Sequence, residues 1–171
     1  MLSFYQVKGS SELLVEEKVM LLRELVEKGR VSFQDGFNTW EEAVQASCEL
    51  LLKQGVIEQS YVESIIECVK KYGPYIVFAP NIAMPHSQEG AVGVHETAVS
   101  FMRVKNKVYF EEGNPDKDAA IFFVLASKNH EEHMNNMEQL AQLLVEPGII
   151  EKLMQAENEK DLLLIDQQLS S

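Results

Sequence analysis

The sequence carries only two cysteines, Cys48 and Cys68, in 171 residues. So few thiols cannot form the disulfide framework of a small secreted fold. Both fall in helical patterns among apolar residues, which points to reduced thiols. Long hydrophobic runs are also missing. None approaches the roughly 20 apolar residues that span a bilayer. The longest candidate, Ala119 to Ala126, has the length of a buried strand. Met1 to Lys8 lacks a basic region followed by a long apolar stretch, so no secretory signal is expected and the location is read as cytoplasmic. Basic residues are scarce as well: 15 Lys and Arg stand against 27 Asp and Glu, for a formal charge of -12. Such a surface is repelled by nucleic acid and by anionic membranes. It suits solubility and basic protein partners. There is no glycine-rich phosphate loop, no G-x-S-x-G elbow and no C-x-x-C. Gly90-Ala91-Val92-Gly93 lacks the strand-to-helix context of a phosphate loop. Glu111, Glu112, Asp116 and Asp118 read as a solvated loop, because acidic pairs arise by chance in so acidic a chain.

What is present is the balance of one globular domain: 46% hydrophobic and 25% charged residues, enough to bury a core. Ser10-Ser11-Glu12 reads as a helix start, and Leu13, Leu14, Leu21, Leu22 and Leu25 give a partly helical stripe that Gly29 ends. This leading segment is either a helix docked on the domain or an arm. Thr39-Trp40-Glu41-Glu42 has capping-box spacing, and the helical pattern after it runs to Gly55. A second capping box is read at Ser60-Tyr61-Val62-Glu63, with Gly73-Pro74 as the stop. Tyr75 to Ala79 is β-rich and ends at Pro80, and Ala83-Met84 is a very short extended piece. Ala98 to Val104 and Val108 to Phe110 read as two strands joined in a hairpin by Lys105-Asn106-Lys107. Asn114-Pro115-Asp116 is a turn. Ala119 to Ala126 is continuously apolar, as a strand covered on both faces must be. Glu131 to Leu144 returns to helical spacing, Pro147-Gly148 breaks it, and two short helices follow at about Ile149 to Gln155 and Glu159 to Gln168. The pattern predicts a single α/β domain of three α/β/α layers, with a mixed sheet of roughly five strands covered by helices on both faces.

Four histidines are candidates for chemistry: His86, His95, His130 and His133. His86 follows Pro80-Asn81-Ile82-Ala83-Met84-Pro85. Pro85 fixes its own φ and has no N–H, so it limits local backbone freedom and aims the imidazole. A neutral imidazole is a good nucleophile near pH 7, since its ordinary pKa is about 6.5. On the residues alone, a loop histidine is more often a structural hydrogen-bonding group. The proline-flanked setting narrows that preference without removing it. His130-Glu131-Glu132-His133 does not have the four-residue spacing of a zinc-protease helix, and no thiol or third ligand is near, so no metal is expected. The stretch reads as an acidic helix start, or as a placement of His133 at the end of the central strand, facing a shared site. His95 is taken as surface. A metal hydrolase built on His86, His130 and His133 is the weakest reading.

Ile82-Ala83-Met84-Pro85-His86 resembles the phosphorylation-site signature of the enzyme IIA components of the mannitol/fructose class (type 2) in the phosphoenolpyruvate-dependent sugar phosphotransferase system. Thr39 to Val44, the Gly55-Val56-Ile57 stop, Tyr61 and His133 resemble the same family in the same order, so the likeness runs from about Val31 to Leu169. Tyr72 to Pro80 resembles the ascorbate branch. The mannitol branch carries an assisting arginine in the preceding helix, and Cys68 stands at that position here. The resemblance implies residues 1–28 as an N-terminal helical extension and 29–171 as the enzyme IIA domain. It implies a phosphocarrier in which His86 accepts a phosphoryl group from HPr and donates it to a IIB component, an ascorbate one by branch, with the membrane component IIC reached only indirectly. His133 would assist as a donor, and Ser87 and Gln88 would bind the phosphoryl oxygens. No metal and no cofactor are implied. An apolar patch near His86, ringed by acidic residues, is expected for partner docking. A regulatory phosphoprotein, whose His86 phosphorylation state controls a partner, is the alternative.

Overall fold

The strand that the sequence marks as central, β5 (Asp118–Ala126), is buried along nearly its whole length. Its side chains alternate between two faces, as a pleated strand requires. Ile121, Phe123 and Leu125 enter one core cluster. Phe122, Val124 and Ala126 enter the clusters of the other face. The computed structural model describes residues 21–169. Around β5 it builds a five-stranded mixed sheet in the order β1-β4-β5-β3-β2. β4 (Ala98–Tyr109) runs antiparallel to β5. β1 (Val31–Gln34) lies parallel to β4. On the other side, β3 (Asn81–Ala83) is parallel to β5, and β2 (Val77–Ala79) pairs antiparallel with β3.

Helices cover both faces. Residues 21–27 form α1, whose Leu21, Leu22 and Leu25 are buried in the same cluster as Leu140, Leu143, Leu153 and Leu162. Those four belong to α5 (His130–Leu144), α6 (Ile149–Gln155) and α7 (Glu159–Leu169). The opposite face is closed by α2 (Trp40–Ser47), α3 (Glu49–Lys53) and α4 (Gln59–Tyr72). Val44, Leu51, Val62 and Ile65 of these helices pack against Val124 and Ala126. This is the three-layer α/β/α domain expected from the pattern. Among the described residues no helix is long and apolar enough to cross a membrane. The helix start read at Ser10-Ser11-Glu12, with Leu13 and Leu14, lies outside the described residues.

Several local expectations are corrected. Lys105-Asn106-Lys107 is not a hairpin turn: β4 is one strand from Ala98 to Tyr109. A tight two-residue turn needs positive φ, which no residue here adopts. The three exposed residues instead carry the strand through a shift in its pairing with β5. Asn106 N donates to Asp35 O at 2.9 Å on the β1 side. β1 itself was not legible in the sequence. The Thr39 cap forms, its hydroxyl accepting from Glu42 N at 3.2 Å, but the helix after it breaks at Cys48 into α2 and α3. The Ser60 cap does not form. α4 starts at Gln59 after Glu58, because Glu58 N donates to Gly93 O at 2.8 Å and His95 N to Val56 O at 2.8 Å, drawing the chain into position earlier. Gly93 must be glycine there: a Cβ would stand 2.5 Å from Ser60 Oγ and 3.1 Å from Tyr61 N. Of Tyr75 to Ala79, only Val77–Ala79 is strand.

Candidate functional site

Pro80 and Asn81 reverse the chain between β2 and β3, and Asn81 takes φ 78, a left-handed backbone that asparagine tolerates. β3 then ends, and Met84-Pro85-His86 emerges beside the carboxyl end of β5. Two bonds fix it there: Met84 N donates to Ile76 O at 2.7 Å, and Leu125 N donates to Pro85 O at 3.0 Å. The carboxyl ends of adjacent parallel strands are the usual place for a ligand crevice in an open α/β sheet. β5 leads directly into α5, whose N-cap Asn129 accepts from Glu132 N at 2.9 Å. Asn136 holds this corner by donating to Ser127 Oγ at 3.1 Å. His133, one turn into α5, thereby meets His86 with ring centroids 5.3 Å apart.

The two rings share a cavity of about 520 Å³ with Ser87, Gln88, His130 and Tyr61. The His86 Nδ1 lies 2.6 Å from the Met84 carbonyl oxygen. A carbonyl only accepts, so Nδ1 carries the proton and Nε2 keeps the lone pair. Tyr75 packs edge-on against His86 at 5.2 Å between centroids, and its hydroxyl donates to the His86 carbonyl. Burial lowers the His86 pKa, the nearby His133 lowers it further, and the Met84 carbonyl opposes both. Burial also lowers that of His133, with a further contribution from His130. Both groups are therefore biased toward the neutral, lone-pair-bearing form.

Ser87 is anchored from below. Its hydroxyl lies 2.7 Å from Ser64 Oγ and accepts from Glu89 N at 3.0 Å. Its backbone N–H donates to the Tyr61 hydroxyl at 3.3 Å, and that hydroxyl donates to Leu125 O at 2.7 Å. Burial pushes the Tyr61 phenol up to about 12, so it stays a hydrogen-bonding hydroxyl. The sequence-level site residues His86, Ser87, Gln88 and His133 are thus brought together. His130 joins the lining, while His95 sits on the surface, 3.3 Å from Glu58.

These features coincide with a match over residues 24–168 to the family described as "Phosphoenolpyruvate-dependent sugar phosphotransferase system, EIIA 2". The chain belongs to that family. It is 30% identical over 143 residues to a "Mannitol-specific cryptic phosphotransferase enzyme IIA component" of Escherichia coli, covering 84% of this chain and 95% of the relative. It is 32% identical over 150 residues to an "Ascorbate-specific PTS system EIIA component" of Salmonella, covering 86% and 96%. The crystal structure of a putative PTS IIA domain from Streptococcus pyogenes superposes with a TM-score of 0.76 at 26% identity, covering 88% of this chain and 96% of that one.

In this IIA chain, Cys68 is buried on α4 with its Sγ 3.8 Å from Ser87 Oγ. It underlies the site but brings no guanidinium. The site residues that sequence reasoning missed are Ser64, given no part, and Tyr61 and Tyr75, given no role in the site. Tyr61, Ser64 and Cys68 do have a signal, being spaced three and four apart on one face of α4. The apolar side chain expected near His86 is Met134, 52% exposed at the cavity wall. The expected acidic ring stands back from the cavity: Glu89 is tied to Lys71 at 3.3 Å and Tyr72 at 3.4 Å, and among the described residues no carboxylate lines the wall.

Proposed function

We propose that this IIA protein is a cytoplasmic phosphocarrier that takes a phosphoryl group from HPr onto His86 Nε2 and passes it to the IIB component of the same permease. The observation that carries the reading is the Nδ1 contact with Met84 O at 2.6 Å. It leaves Nε2 as the nucleophile in the shared cavity. The Nε2 lone pair attacks phosphorus as the N–P bond of the donor phosphohistidine breaks and the donor imidazole departs. A new Nε2–P bond forms, and the positive charge that the His86 ring acquires is stabilised by the Met84 carbonyl. Transfer of this kind depends on position and on charge stabilisation. His133 assists as a donor to the phosphoryl oxygens. Ser87 and Gln88 bind the same oxygens, Ser87 once its present inward bonds exchange; its N–H bond at 3.3 Å is long enough to do so readily. Only side chains and backbone act in the transfer. Residues 29–171 form the carrier domain, with the preceding residues as an extension. Ascorbate is the transported sugar, on the likeness of Tyr72 to Pro80 to that branch, and the membrane component IIC is met only through IIB.

The test is incubation with phosphoenolpyruvate, enzyme I and HPr, followed by intact mass before and after acid. The expected result is one phosphoryl group, lost in acid and absent in a folded His86→Ala variant. Labelling retained in that variant would overturn the assignment. Adding ascorbate-type or mannitol-type IIB then decides the sugar, by which one discharges the phosphoprotein.

A further inference from the structure

Among the described residues, the cavity against His86 has no aspartate or glutamate in its lining, although the chain holds 27 acidic residues against 15 basic ones. Apart from the Tyr61 phenol, its ionisable side chains are His86, His130, His133 and Lys128. Two carboxylates close in sequence to the lining, Glu89 and Glu132, are held elsewhere. Glu132 Oε2 accepts from Thr97 Oγ1 at 2.5 Å and from Asn129 Nδ2 at 3.3 Å. The Thr97 hydroxyl also accepts from Lys128 N at 3.1 Å. One hydroxyl thus turns the carboxylate aside and fixes the backbone that carries the lysine. The Lys128 side chain is exposed and has no ion-pair partner among the described residues. α4 offers the cavity only Tyr61.

A phosphoryl group on His86 is an anion of nearly two charges. A carboxylate-free wall avoids repelling it, and an ammonium is a compact point charge suited to phosphate. His133, biased toward its neutral form by burial, can donate a hydrogen bond but supplies no full charge. We infer that Lys128 is the cation that binds the phosphoryl group on His86. The inference rests on the phosphohistidine reading above and adds a residue that this reading does not use.

The experiment removes protein partners. The protein is phosphorylated with potassium phosphoramidate, whose P–N bond breaks with loss of ammonia as the Nε2–P bond forms. The phosphorus resonance is then followed against pH in wild type, Lys128→Met, Lys128→Arg and Lys105→Met, the last an exposed lysine of β4 outside the cavity. The inflection should rise by about half to one pH unit in Lys128→Met, a screened effect because the lysine is exposed. Lys128→Arg and Lys105→Met should keep the wild-type inflection. Labelling lost in Lys128→Met and restored in Lys128→Arg supports the inference equally. An unmoved inflection in Lys128→Met overturns it, as does an equal shift in Lys105→Met. A wild-type protein that takes no phosphoryl group from phosphoramidate or from HPr removes the phosphohistidine reading itself.

Discussion

Replacing Tyr61 with phenylalanine isolates one hydroxyl that joins the core to the site. The ring is 3% exposed, so the apolar contacts survive the change. What is lost is the donor to Leu125 O at 2.7 Å and the acceptor for Ser87 N at 3.3 Å. Leu125 is fully buried, and its carbonyl gains no water in exchange. Ser87 is only half-buried, so its N–H can be rehydrated at little cost. The net loss is therefore that of one buried group left short of a partner, about 1 to 3 kcal/mol. At about 2 to 4 °C per kcal/mol for a chain of this size, the melting midpoint should fall by roughly 2 to 12 °C. The Ser87 backbone also loses its tether to β5, so the rate of phosphoryl acceptance by His86 should drop several-fold even where the variant is fully folded. Thermal melts and single-turnover labelling on the same preparation separate the two effects. A Tyr61→Phe protein with an unchanged midpoint and an unchanged labelling rate would show that the hydroxyl neither stabilises the corner nor positions the loop.

Further outcomes follow from the ionisable groups. Acceptance requires neutral His86, so its rate should rise with pH through a midpoint below about 6.5 and be flat near neutrality. A His133→Gln variant should move that midpoint slightly upward, because the His133 charge helps lower it; a wild-type midpoint above 7 would contradict the burial argument. The same depression means that His86 contributes stability present above its unfolded pKa, and denaturation curves should show that share being lost as pH falls below about 6.5. Asp166 on α7 is fully buried, and Arg23 Nε stands 3.7 Å away. Burial raises its pKa to about 6 against an ordinary 3.8. The folded form thus holds this proton more tightly than the unfolded chain, and the group favours folding more as pH falls through 6. Asp166→Asn should be more stable than wild type at pH 8, with the advantage shrinking by pH 5; urea titrations at the two pH values check it, and a variant less stable at pH 8 would refute the reasoning.

The site was partly legible because its signals are local. Pro85 next to His86 restricts the backbone within two residues, and Ile82-Ala83-Met84-Pro85-His86 carries the family pattern in one stretch. The continuous apolar run of β5 announced a strand covered on both faces. Helices α2, α5, α6 and α7 were visible through their apolar spacing and the Thr39 and Pro147-Gly148 signals. β1 was not visible: four residues, half-buried at a sheet edge, make too short a pattern to stand out. The false hairpin at Lys105 to Lys107 has the same origin, since three polar residues look alike in a turn and in a strand that runs past its partner.

The sequence by itself determined the layered α/β class, and it singled out His86 as a candidate through its likeness to the family signature, because periodicity and a short motif are properties of neighbours along the chain. Only the tertiary structure decided the tautomer of His86, the meeting of its ring with His133, and the anchoring of Ser87 by Tyr61 and Ser64. Those contacts join residues 23 to 64 positions apart, or, for Met84 O, depend on the exact turn of the chain at the end of β3. The absence of carboxylates, among the described residues, from the lining of this cavity is likewise a fact of three dimensions: hydrogen bonds from Thr97 and Asn129 hold Glu132 outside it, and bonds from Lys71 and Tyr72 hold Glu89.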